Sequence, residues 1–226
     1  GVSEAPIQIA KLGDLSGRGF LTTDYYNDDL SPIFQPNDFE KEYKIAAGKE
    51  VVVPEVTVKD DYGIRGLADY VVTYEKNTSN ASNVSVKNGK FVPTRKGVYT
   101  IDYFAYDVYG NRSELSLNLY AVNAEGGITA TRELNGEVSA GERYKLSDIV
   151  KITSLNEKIL NVAVTIEKPS GEKVDAGSFF EVCAFDEVGT YTIKYKYSDI
   201  FYGGEITADV NVIPNALPKF ENDKLY

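Results

Sequence analysis

At 226 residues, with 42% hydrophobic and 26% charged side chains, the chain has the apolar content of a globular protein and is long enough for two cores. Disordered and fibrous classes are thereby excluded. A net charge of −10 without a basic cluster opposes a phosphate backbone or an anionic lipid surface at long range, so nucleic acid is excluded as a partner.

No apolar run approaches the roughly 20 residues of a membrane span, and the opening GVSEAPIQIA has neither the basic segment nor the apolar core of a signal peptide. In chain order, FLTTDYYND (Phe20–Asp28) aligns with ITADVNVIP (Ile206–Pro214), which assigns residues 1–30 to an N-terminal strand segment or to the tail of a preceding repeat. LSPIF (Leu30–Phe34), EGGIT (Glu125–Thr129) and ALPKF (Ala216–Phe220) each open a new unit. The expected organisation is a first unit at 31–123, a second at 124–213, and a C-terminal linker or start of a further repeat at 214–226.

Within the first unit, period-two alternation and β-branched or aromatic enrichment predict strands near Lys49–Val53, Glu55–Lys59, Ala68–Glu75, Val84–Val86, Lys90–Pro93, Val98–Tyr106 and Ser113–Val122. The second unit has them near Arg143–Leu146, Ile149–Ile152, Asn161–Glu167, Phe179–Ala184, Thr190–Tyr197 and Glu205–Ile213. No stretch of ten residues carries a helical stripe. Turn chemistry at KNG (Lys87–Gly89), RKG (Arg95–Gly97), DVYGN (Asp107–Asn111), PSGE (Pro169–Glu172) and FYGG (Phe201–Gly204) separates the strands, because glycine and asparagine accept the positive φ of tight reversals. The short linker at Asn123–Gly127 contains glycine and implies a limited hinge.

Two of these strands are near copies. GVYTIDYFAYD (Gly97–Asp107) returns as GTYTIKYKYSD (Gly189–Asp199), and VTYEK (Val72–Lys76) as VTIEK (Val164–Lys168), both 92 positions on. Tyr99, Ile101, Tyr103 and Ala105 occupy the inward face of the first copy, and Tyr191, Ile193, Tyr195 and Tyr197 that of the second. The fold class read from this pattern is all-β, with two tandem immunoglobulin-like β-sandwich domains.

These segments, with AGKEVVVPEVTVKDDYG and AGERYKLSDIV before them, resemble the bacterial immunoglobulin-like tandem repeats of secreted or cell-wall surface proteins. The resemblance covers roughly residues 31–213 and departs at Asp199-Ile-Phe-Tyr-Gly, where the first copy has Asp107-Val-Tyr-Gly-Asn. It implies an extracellular or cell-surface, non-enzymatic module, a stalk or an adhesive surface for a protein or glycan ligand, with further domains in the full-length protein. In immunoglobulin sandwiches a corner tyrosine precedes the disulfide cysteine by two residues, so Tyr99 and Tyr191 fit the corner and Ile101 and Ile193 the cysteine positions.

The chemistry-bearing residues point away from catalysis. With no histidine in the chain, Ser-His-Asp, Cys-His and HExxH arrangements are absent. The single cysteine, Cys183, falls at the place of Phe91 in the first copy and reads as a core residue. Asp28-Asp29 and Asp60-Asp61 are adjacent carboxylates in turn-like sequence, where neighbours point different ways, so no catalytic residue, cofactor or metal ligand is assigned. Calcium is the one metal the oxygen-rich loops could suit, through VKDDYG together with Asp107 and Asn111. Phe104, Tyr106, Tyr109, Phe201 and Tyr202 are placed on outward positions or turn tips, either as a sugar-stacking platform or as cross-strand packing. NTSNASNVS (Asn77–Ser85) holds three N-x-S/T sequons, and Asn111 opens a fourth. Asn118 and Asn211 correspond between the copies and face outward, which argues against a lysine-asparagine cross-link.

Overall fold

The structure, a computed structural model, describes residues 29–35, 39–61, 63–159 and 161–215. The chain divides into two compact units, one including Val53–Phe91 and Arg95–Ala121 and the other including the chain from Val122 on. Each is considered by itself. The architecture is all-β, made of immunoglobulin-like β-sandwiches, with one helical turn among the described residues.

The first half of the chain forms β1 (Ile33–Gln35), β2 (Glu42–Ala46), β3 (Val51–Val52), β4 (Thr57–Lys59), β5 (Asp69–Tyr74), β6 (Ser82–Asn83), β7 (Lys90–Phe91), β8 (Gly97–Tyr106) and β9 (Arg112–Val122). The main sheet has the order β2-β9-β8-β5-β6, and β3-β7 and β1-β4 form two-stranded sheets. β8 is the central strand. Its Tyr99, Ile101, Tyr103 and Ala105 are buried, as the alternation predicts. Tyr99 stacks at 5.8 Å on Phe91 of β7, and the Tyr103 hydroxyl donates 2.8 Å to the Pro54 carbonyl between β3 and β4. The central strand is therefore tied to the facing layer by both apolar and polar contacts.

The second half forms β10 (Ile128–Arg132), β11 (Glu137–Ser139), β12 (Arg143–Lys145), α1 (Leu146–Ile149), β13 (Val150–Ser154), β14 (Asn161–Glu167), β15 (Lys173–Ala176), β16 (Val182–Ala184), β17 (Gly189–Ser198) and β18 (Gly203–Ile213). Its main sheet runs β11-β18-β17-β14-β15, beside the pairs β10-β13 and β12-β16. Tyr191, Ile193 and Tyr195 of β17 join Leu146, Ile149, Phe185, Ala208 and Val210 in one apolar cluster. Tyr197 is only half-buried. Cys183 lies in the same cluster. Burial, followed by the negative charges of Asp186 and Glu181, pushes its thiol up to about 11, which leaves it protonated and poorly nucleophilic at neutral pH.

Tyr99 and Tyr191 make the corner bonds. The Tyr99 hydroxyl accepts the Arg95 amide and donates to the Arg95 carbonyl, both at 3.1 Å, and the Tyr191 hydroxyl accepts the Glu187 amide at 3.0 Å. Each reaches four residues upstream. The deeper hydroxyls match as well, since Tyr195 donates 3.0 Å to the Leu146 carbonyl, 49 residues away as Pro54 is from Tyr103.

Strand pairing corrects two expected correspondences. In the first sheet Val72 faces Ile101, whereas in the second it is Ile166, not Val164, that faces Ile193. VTYEK and VTIEK are thus two residues out of step; an even slip keeps the same face inward, so the core pattern survives it. On the other side of the central strands, Thr100 faces Asn118 and Thr192 faces Asp209. Asn118 therefore corresponds to Asp209 rather than to Asn211, because the β17–β18 turn spans Asp199–Tyr202, one residue shorter than the β8–β9 turn at Asp107–Asn111.

Other differences are local. Pairing with β5 is made by Ser82–Asn83 and not by Val84–Val86, although the Val84 amide still donates 2.9 Å to the Val72 carbonyl. β1, β2, β10, β11 and β15 lie outside the predicted strands; each has five residues or fewer, too short for alternation to register. FLTTDYYND and ALPKF lie outside the described residues.

The twin glycines are structural requirements. Gly97 and Gly189 open the central strands at φ of +132° and +130°, and a Cβ on Gly97 would run into Glu75 Oε1 and the Tyr74 ring. Glu75 cannot easily move, since the same oxygen accepts the Val98 amide at 2.9 Å. At Gly89, by contrast, φ is +71° and no atom lies within 4 Å. Gly97→Ala is expected to cost about 1–3 kcal/mol of stability from backbone strain alone, and more than Gly89→Ala, as checked by urea denaturation of both variants.

Candidate functional surfaces

The reversal after β8 is organised by one carboxylate. Asp107 is fully buried. Its Oδ1 accepts the amides of Tyr109, Gly110 and Asn111 at 2.8, 2.6 and 2.8 Å, and its Oδ2 accepts Asn111 Nδ2 at 2.7 Å. Burial by itself would raise the carboxyl pKa, but the side-chain and backbone bonds from Asn111, with those from Gly110 and Tyr109, hold it below the usual carboxylate value. Asp199 repeats the device on a shorter turn, accepting the Phe201 and Tyr202 amides at 2.9 and 2.8 Å. Ser154 Oγ supplies the second-oxygen bond, at 2.5 Å, that Asn111 supplies to Asp107.

These bonds bear directly on the calcium reading. Asp107 and Asn111 are committed to each other and to turn amides, and Asp60 Oδ1 accepts the Gly63 amide at 3.1 Å. Among the described residues, no group of three or more His, Cys, Asp or Glu is placed to hold a metal ion. Asp28 lies outside them.

The aromatic positions divide. Phe201 is 1% exposed, a core residue and not a turn-tip platform, which corrects the expectation. The Asp199 bonds to Phe201 N and Tyr202 N turn the chain back at this point. The Phe104 face is covered by the Arg112 guanidinium 4.5 Å above it, and the Tyr202 ring occupies the space where a Cβ on Gly127 would stand. Tyr106 remains open at 44% exposure, lining a shallow pocket of about 280 Å³ with Arg65, Gly66, Leu67 and Asp69. Leu67 is 95% exposed there. Alternation could not have found it, since it sits in a loop where only the neighbouring Gly66 signals a bend.

The outer sheet faces carry polar ladders. In the second unit, Asn161, Ala163, Lys196, Ser198, Gly203 and Glu205 line an open groove of about 550 Å³ across β14, β17 and β18. In the first, Asp102 is 3% exposed although it lies on the outward side of β8. Its Oδ1 accepts Lys76 Nζ and Ser116 Oγ, each at 2.6 Å. Neither the ion pair nor its burial is signalled by sequence, because Lys76 reaches Asp102 from the loop after β5.

Asn77, Asn80 and Asn83 of the sequon loop are exposed. Asn111 is not available in the same way, since its amide group donates to Asp107 and to the Leu30 carbonyl. Asn118 Oδ1 accepts the Thr100 hydroxyl at 3.0 Å, and Asn211 Nδ2 donates 3.1 Å to Glu137.

No family model matches the sequence, and no curated protein matches it. Among solved structures, the chain is similar to dimeric latent PorU from Porphyromonas gingivalis (14% identity, TM-score 0.31), over 83% of this chain and 21% of that one. It spans about a fifth of the length of that PorU chain. It is also similar to the fibronectin(III)-like modules of Clostridium thermocellum CbhA (14% identity, 81% and 94% covered, TM-score 0.31). A third is the three N-terminal domains of the bacteriophage RB49 outer capsid protein Hoc (9% identity, 82% and 70% covered, TM-score 0.37). Such loose overlays add nothing to the sheets described above. No helix among the described residues is long and apolar enough to cross a membrane.

Asp107→Asn is expected to lower stability by about 1–3 kcal/mol, the cost of weakening bonds to a buried charged acceptor. A carboxyl whose folded pKa is lowered stabilises fully above the unfolded value and loses that contribution as pH falls through the folded one. The wild type should therefore lose stability between about pH 5 and pH 2 more steeply than Asp107→Asn, as urea midpoints across that range would record.

Proposed function

We propose that the chain is a non-enzymatic module of a bacterial surface or secreted protein, in which two copies of one sandwich act as a spacer or present an adhesive surface to a protein or glycan ligand outside the cell. The supporting observation is the pairing of framework residues 92 positions apart. Gly97 and Gly189, Tyr99 and Tyr191, Tyr103 and Tyr195, and Asp107 and Asp199 make matching interactions, while the loops around them differ. Duplication of a scaffold with divergence of its loops is the pattern of a protein whose fold supplies reach and whose surface supplies recognition. The paired features are the interior and turn bonds that hold a sandwich together.

A spacer resists force module by module. Stretching the intact chain between its ends in a single-molecule instrument is expected to give two unfolding events. Each should release roughly 30 nm, the contour length of about 90 residues at roughly 3.5 Å each. One event releasing the whole chain would contradict the two-copy spacer.

A second reading, a carbohydrate-binding accessory module of a larger extracellular enzyme, is favoured by one observation, the open Tyr106 ring beside Arg65 and Asp69. It predicts binding on a glycan array that Tyr106→Ala abolishes without lowering the melting temperature. Binding that survives the substitution, or no binding at all, contradicts it.

A further inference from the structure

The chain contains the dipeptide Asn-Gly twice, at Asn88-Gly89 and Asn135-Gly136. Asparagine before glycine can react with its own backbone, since glycine lacks the Cβ that would shield the following amide nitrogen. The nitrogen attacks the side-chain Cγ, a C–N bond forms, and Nδ2 leaves as ammonia with the proton given up by the amide. Water then opens the five-membered imide at one carbonyl or the other, giving aspartate or isoaspartate. No oxidant, reductant or cofactor enters.

The two sites share this chemistry but not their conformation. Asn88 and Gly89 have φ of +51° and +71°, and Lys87 and Lys90 close the turn with reciprocal bonds of 2.8 and 3.0 Å. Both positive φ values define the tight hairpin turn of type I′. In that turn the Gly89 nitrogen is held on the side of the Asn88 Cα–C bond opposite the side chain, so ring closure requires breaking the turn. A further bond from the Val53 amide to the Gly89 carbonyl, at 2.8 Å, adds to the restraint.

Asn135 is not in such a turn, although Gly136 also has a positive φ, +96°. It lies in the exposed connection between β10 and β11, outside any strand or hydrogen-bonded turn, and Gly136 is exposed too. Its side chain is held by one surface bond, from Nδ2 to the Glu133 carbonyl at 3.1 Å. Such an exposed bond contributes little, so the peptide can rotate into the reactive geometry. We propose that Asn135 is a spontaneous modification site that converts to aspartate and isoaspartate in the native protein, whereas Asn88 is protected by its turn.

The product would alter the start of β11. A carboxylate at 135 stands between the exposed side chains of Glu133 and Glu137, and isoaspartate adds a backbone carbon immediately before the strand. β11 is an edge strand of three residues, paired in parallel with β18 through Glu137↔Asn211, Val138↔Val212 and Ser139↔Ile213. A shift at its first residue is poorly resisted by so short a ladder.

The test ages the intact chain in mildly alkaline buffer, with peptide mapping by mass spectrometry and isoaspartate detection by enzymatic methylation. The Asn135 peptide is expected to convert at least about tenfold faster than the Asn88 peptide, a barrier difference of about 1.4 kcal/mol. After denaturation the two rates should converge. Amides of Glu137–Ser139 should exchange faster in the aged fraction than in the fresh one. Equal rates at the two sites in the native chain, or an unreactive Asn135, would overturn the proposal.

Discussion

The structure depends on burying tyrosines in the middle of a sheet without stranding their hydroxyls. A buried phenol brings apolar area and also one polar group that must be paired. Tyr103 and Tyr195 solve this in the same way, each sending its hydroxyl to a backbone carbonyl outside its own sheet, Pro54 and Leu146. Burial raises the pKa of both hydroxyls, so they stay protonated and remain donors at any physiological pH. With a single cysteine and no tryptophan in the chain, these bonds and the aliphatics around them stand where other immunoglobulin sandwiches use a disulfide and an indole.

From that constraint the turn chemistry follows. A central strand of ten residues must be entered and left sharply if both of its neighbours in the sheet are to pair along it. Gly97 and Gly189 make the entry with a φ that other residues rarely adopt, and Asp107 and Asp199 make the exit by gathering amides onto one oxygen. The exit tolerates variation because the aspartate, and not the loop length, organises it. Where the second turn loses a residue and with it the asparagine donor, Ser154 replaces the lost bond. Asp107, which reads in sequence as a possible metal ligand, is in the fold an internal acceptor.

The central strands were legible because alternation reports directly which side of a strand meets a core, and Tyr99, Ile101, Tyr103 and Tyr195 are all buried accordingly. Coverage of the opposite side was not, because it depends on side chains arriving from elsewhere. Thr100 and Asp102 are buried on the outward face, the latter by Lys76. Phe201 differs from its sequence expectation because glycine-rich sequence after a strand resembles an exposed tip, whereas the Asp199 turn folds it inward. Sequence similarity also misleads where register shifts preserve a face: VTIEK differs from VTYEK only at its third residue, yet pairs two residues away. The candidate surface at Tyr106 and Leu67 was only half visible, for a strand-end aromatic can be placed by period but a loop leucine cannot.

Native-state hydrogen exchange reads directly how firmly the buried tyrosines anchor the two central strands. Amides that open only with global unfolding exchange slowest, and they mark the cooperative core. The slowest amides are expected in the central strands at matching positions, around Ile101 and Tyr103 in one and Ile193 and Tyr195 in the other. If either strand exchanged as fast as the exposed loop at Ser79 and Asn80, its buried tyrosine would not be the anchor described here.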